Sequence, residues 1–91
     1  MQKYLIEREV AGAGQLSVEE LRTVSQTSLK AANQLGPQIQ WVQSYITGDK
    51  IYCVYIAANE EIVREHAQLA GIPVNCISEI RSLADPTTAE R

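Results

Sequence analysis

Apolar and polar positions change period several times along the chain, and each change marks an element. Lys3-Tyr4-Leu5-Ile6-Glu7-Arg8-Glu9-Val10 sets β-forming residues beside charges at alternate positions, the spacing of a strand with one wetter face. Ala11-Gly12-Ala13-Gly14 breaks that strand. Leu21, Val24, Ser28, Ala31, Ala32 and Leu35 then recur at helical spacing, a stripe whose small central residues predict close packing against a sheet. The helix carries its own limits: Ser17-Val18-Glu19-Glu20 is a capping box, and Gly36-Pro37 is a stop.

Residues 39–47 and 50–58 are both rich in Trp, Tyr, Val and Ile and predict a hairpin, with Gly48-Asp49 expected to supply a positive-φ turn. On the second of these strands Ile51, Cys53, Tyr55 and Ala57 share one face, and Tyr52, Val54 and Ile56 share the other. Both faces are apolar, which predicts a central strand covered on both sides. Asn59 is placed to cap a second helix whose first turn holds Glu60 and Glu61, where the helix dipole favours negative charge. Its apolar positions are Ile62, Val63, Ala67 and Ala70, with His66 on the border of the stripe, and Gly71 and Pro73 stop it. Residues 76–83 predict a last strand, although Val74, Ile77, Ile80 and Leu83 recur every third residue in a helix-like way.

Strand, helix, strand, strand, helix, strand in 91 residues predicts an α+β fold, the ferredoxin-like βαββαβ sandwich with a four-stranded antiparallel sheet and both helices on one face. The length suits one domain, expected over residues 1–84 with a polar tail at 85–91. Such a fold leaves one sheet face uncovered, and here that face bears Tyr and Ile. Leaving them wet is costly at roughly 25 cal/mol per Å², so the expected partner is a second copy of the chain, a homodimer through the open face.

Charge and hydropathy narrow the classes. A formal net charge of -3 gives no general attraction to nucleic acid or to anionic lipid. No apolar run approaches the ~18 to 20 residues of a membrane helix, and no charged-then-apolar leader is evident, so the expected location is cytoplasmic. The two cysteines, Cys53 and Cys76, lack C-x-x-C spacing and are expected to be buried free thiols. Two thiolates cannot hold an iron–sulfur cluster.

Candidate chemistry is sparse. There is no phosphate loop, no H-E-x-x-H and no nucleophile elbow, and Gly12-Ala13-Gly14 lacks the remaining residues of a phosphate site, which leaves it a plain loop. His66 is the sole histidine: either a structural residue bonded to backbone or carboxylate, or a ligand for nickel, copper or zinc completed by carboxylates. Glu7 shares a strand face with Glu9. If buried, it needs a partner such as Arg8 of a twin chain, Arg81, or a cation. Cys53, within Ile-Tyr-Cys-Val-Tyr, is either an inert buried thiol or a soft-metal donor.

Several segments together resemble a known family. They are Lys3-Tyr4-Leu5-Ile6-Glu7-Arg8, Trp41-Val42-Gln43-Ser44-Tyr45-Ile46, Asp49-Lys50-Ile51-Tyr52-Cys53-Val54-Tyr55, Arg64-Glu65-His66-Ala67, Gly71-Ile72-Pro73 and Asp85-Pro86-Thr87-Thr88. In colinear order they resemble a bacterial family of small ferredoxin-like domains in which a studied member is described as nickel-binding. The resemblance implies a homodimer that binds nickel at its surface without an assigned reaction. The metal positions it suggests are His66, Cys53 and Glu7. The expected function is accordingly a non-enzymatic protein for nickel or a similar divalent ion. Its rival is a small-molecule-binding or monooxygenase- or lyase-like dimer with a cavity between sheet and helices, a reading by fold analogy. A purely structural interaction module is a third expectation.

Overall fold

A computed structural model describes residues 1–90. Its elements run β1 (Gln2–Glu9), α1 (Val18–Leu35), β2 (Ile39–Ile46), β3 (Lys50–Ala57), α2 (Glu60–Ala70) and β4 (Cys76–Ile80), with 3-10 turns at 13–15, 36–38 and 86–90. All strand pairs are antiparallel, and the order across the four-stranded sheet is β2-β3-β1-β4. This is the ferredoxin-like arrangement that the order of elements predicts.

Period-two alternation decides what each strand gives to each side. Tyr4, Ile6 and Arg8 of β1 and Cys53, Tyr55 and Ala57 of β3 are buried beneath the helices. Ile6 and Val63 are wholly buried, and each side chain contributes about 1.5–3 kcal/mol of transfer free energy. Lys3, Leu5, Glu7 and Glu9 stand on the other side of β1, paired in register with Ile56, Val54, Tyr52 and Lys50. That uncovered face also carries Tyr45, opposite Tyr52, and Ile80, opposite Lys3.

Both helices form where the sequence places them. Ser17 Oγ accepts from the Glu20 backbone N–H at 3.1 Å while Glu20 accepts from the Ser17 N–H at 2.9 Å, closing the capping box. Asn59 Oδ1 accepts from the Ile62 N–H at 2.9 Å. Burial along α1 is uneven: Ser28, Ala31, Ala32 and Leu35 are buried, whereas Val24, nearer its start, is 40% exposed. His66 lies inside the buried stripe of α2 with Ile62, Val63 and Ala67 rather than on its border.

The structure departs from the expected pattern in three places. The turn between β2 and β3 contains no positive-φ residue; Thr47 closes it instead, its N–H and hydroxyl donating to the Lys50 carbonyl at 2.9 and 3.0 Å. β4 stops at Ile80, and Leu83 is exposed. A spacing of three along a strand lands on opposite faces, so Ile77 faces the helices beside Ile6 while Ile80 sits on the open face beside Lys3. Cys76 is exposed, so only one of the two thiols is buried. The expected tail holds a 3-10 turn, organised by Asp85, whose carboxylate accepts from the Thr87 N–H at 2.9 Å; its last residue lies outside the described residues.

Candidate functional site

Between the first half of α1 and the sheet lies a cavity of about 420 Å³, within the roughly 300–1,000 Å³ typical of small-molecule sites. Leu16, Leu21 and Val24 form its helix side, and Trp41, Ile46 and Ile51 much of its floor. Val24 and Ile46 are 40% and 41% exposed, which marks the side on which the cavity meets solvent. The register shift between Trp41 and Gln43 matters here. By inserting Val42, it sets Ser44 opposite Cys53 and Ile46 opposite Ile51, so that both reach the cavity.

Polar groups converge at the inner end. Arg8 is 2% exposed. Its Nη1 donates to the Pro73 carbonyl at 2.8 Å and its Nη2 to the Tyr55 hydroxyl oxygen at 3.4 Å, while Nε is buried without a partner. The guanidinium also lies 5.9 Å from the centre of the Tyr55 ring, within the distance of a cation–π contact. Tyr55 OH stands 3.5 Å from Ser28 Oγ. Burial, and then the nearby Cys53, push the Tyr55 hydroxyl above its ordinary value, with bonds from Ser28 and Arg8 acting in the opposite sense.

A second relay runs along the floor. The Trp41 indole N–H donates to Ser44 Oγ at 2.9 Å, and the Ser44 hydroxyl donates to Cys53 Sγ at 2.9 Å. Cys53 is therefore a buried thiol with its sulfur engaged as an acceptor.

His66 stands behind this wall and does not line the cavity. Its Nε2 donates to the Ser28 carbonyl at 3.0 Å, and its ring packs against Tyr55 at 5.0 Å between centroids. Donation from Nε2 leaves Nδ1 as the bare nitrogen of a neutral imidazole, and Nδ1 has no partner. Burial lowers the His66 pKa from its ordinary value, and repulsion from Arg8 acts in the same direction against the Ser28 bond.

The three metal positions inferred from sequence do not share one site within the chain. Glu7 is on the open face, where its partner is Lys50 Nζ at 3.4 Å rather than Arg81. Cys53 and His66 are on the helix side, the one bonded to Ser44 and the other to Ser28. Among the described residues no three His, Cys, Asp or Glu side chains gather into a possible metal site. Glu7, Cys53 and His66 of one chain thus do not together fit a nickel ion. Arg8, Ser28 and Ser44 were not legible as site residues, though the alternation of β1 carried a signal for the first. An arginine in phase with Tyr4 and Ile6 belongs to the apolar side.

A family model described as nickel responsive protein SCO4226-like matches residues 4–80. The chain belongs to that family. The crystal structure of a protein of this kind, SCO4226 from Streptomyces coelicolor A3(2), has a TM-score of 0.75 to this chain at 19% sequence identity. The match covers 90% of this chain and 99% of that one, a likeness that shows the SCO4226-like fold. No curated protein matches the chain in sequence. The span 4–80 includes every strand-borne and helix-borne residue of the cavity.

Proposed function

We propose that this chain is a binding module for a small organic molecule of largely apolar character, held in the cavity between α1 and the sheet, and that it works as a homodimer. The observation that carries the reading is the cavity itself: a volume suited to a small ligand, aliphatic and aromatic walls, and a few polar groups gathered at one end. N-phenyl-1-naphthylamine, an uncharged probe that brightens in apolar surroundings, tests it. The wild-type protein is expected to bind the probe, and Val24→Trp, at the exposed edge of the cavity, to lose that binding while keeping its circular dichroism spectrum. Equal binding by both proteins would count against the cavity as the site.

The dimer is supported by the open face, where Leu5, Tyr45, Tyr52, Val54, Ile56 and Ile80 form an apolar surface that neither helix covers. Sedimentation equilibrium is expected to give the dimer mass for the wild type and the monomer mass for Val54→Lys. A monomeric wild type removes this part of the proposal.

The family's description, nickel responsive, prompts a second reading, and we propose for it a nickel ion held between two chains. Of the three donors inferred from sequence, Glu7 alone is on the open face, where Cys76 is its register partner on β4. Calorimetric titration with Ni²⁺ tests this arrangement: heat in the wild type and in His66→Ala but not in Glu7→Gln supports it. An absence of heat in the wild type overturns it.

A further inference from the structure

Resting on the cavity reading, we infer that the molecule bound there is an amphipathic anion, with a carboxylate at Arg8 and an aliphatic or aromatic body along Leu21, Ile46 and Ile51. Arg8 carries a charge into the interior without any carboxylate to meet it. None of the ion pairs among the described residues includes Arg8, and no Asp or Glu lines the cavity.

A guanidinium has five N–H donors. Two of them are engaged here, one by the Pro73 carbonyl and one by the Tyr55 hydroxyl, and the second of these bonds is long at 3.4 Å. Burying a charged group so poorly paired opposes folding. An arginine kept solely for structure would ordinarily face a carboxylate. His66, packed against Tyr55, offers Arg8 no negative charge in either protonation state. A planar carboxylate matches the planar fork of arginine and can accept two parallel bonds from it. Apart from Ser25, Ser28, Ser44, Cys53 and Tyr55, the remaining wall is aliphatic or aromatic and suits a hydrocarbon or aromatic body.

Octanoate and 1-octanol separate the two halves of this inference, because they share a chain and differ in the head group. Each is titrated against wild-type protein loaded with N-phenyl-1-naphthylamine, and the emission of the single tryptophan, Trp41 on the cavity floor, is followed in parallel. Octanoate is expected to displace the probe at concentrations about tenfold or more below those of 1-octanol, the size of one charge-assisted hydrogen bond. Arg8→Met is expected to abolish that preference and still bind the probe. Should Arg8→Met not fold, the wild-type comparison decides alone. Equal displacement by octanoate and 1-octanol overturns the anion inference and leaves the cavity reading standing. Failure of the wild type to bind the probe, with no change in Trp41 emission on adding octanoate, overturns both.

Discussion

His66 Nε2 lies 3.0 Å from the Ser28 carbonyl oxygen, and this contact joins α2 to α1 at a point where neither nitrogen of the ring reaches water. The bond fixes the proton on Nε2. A second proton would have to sit on Nδ1, where no acceptor is present. Burial therefore lowers the pKa below the ordinary 6.5, and the unfolded chain takes up a proton at a higher pH than the folded one. The sign follows: the contribution of neutral His66 to stability is complete above the unfolded value and is lost as pH falls below it, at up to about 1.4 kcal/mol per pH unit until the native value is reached. Thermal midpoints between pH 7 and 5 are expected to fall more steeply for the wild type than for His66→Gln. Parallel slopes would show that His66 is not the group responsible.

The capping box at Ser17 supports a helix whose first turns form one wall of the cavity. Ser17→Ala removes the acceptor for the Glu20 N–H, at a cost of about 1 kcal/mol. For a domain of this size that lowers the thermal midpoint by roughly 4–8 °C. Because Leu16, Leu21 and Val24 line the cavity, the same change is expected to weaken binding of N-phenyl-1-naphthylamine. A lowered midpoint with unaltered probe affinity would mean that the start of α1 is not part of the binding wall.

Gly14 and Gly48 lie side by side and answer to different constraints. The Gly14 N–H donates to the Gly48 carbonyl at 3.0 Å, and the Gly12 N–H donates to Asp49 Oδ1 at 3.0 Å, so the loop after β1 is fastened to the β2–β3 turn. A Cβ on Gly14 would meet the Thr47 carbonyl oxygen at 2.9 Å and Gly48 Cα at 3.2 Å, whereas a Cβ on Gly48 meets nothing within 4 Å. Gly14→Ala is thus expected to destabilise by about 1–3 kcal/mol, as overpacking against backbone does. Gly48→Ala is expected to be nearly neutral. Urea midpoints of the two variants measure the difference, and equal midpoints would refute the steric account.

The glycine-containing loop shows how local reading and tertiary placement divide. Its sequence lacks a phosphate site, and that much is visible without coordinates; that it fastens one turn to another is visible only with them. The same holds for Arg8. Alternation puts it in phase with Tyr4 and Ile6, but charge alone suggests a solvent-facing residue, and only the packed structure reveals a buried guanidinium that takes part in none of the ion pairs among the described residues.

Sequence by itself determined the order of elements, both helix caps, the pairing of apolar faces and hence the ferredoxin-like fold, because hydrophobic period and capping chemistry act over a few residues. It also placed Cys53 and Tyr55 on one face of their strand and Glu7 and Glu9 together on one face of theirs. Tertiary structure decided which of those faces the helices cover and therefore that Glu7 is separated from Cys53 and His66 by the sheet itself. It decided as well that the first half of α1 and the bulged β2 enclose a cavity between them. The physical reason is that a site assembled from β1, α1, β2 and β3 depends on distances between elements, and those are fixed by how side-chain volumes pack across the core.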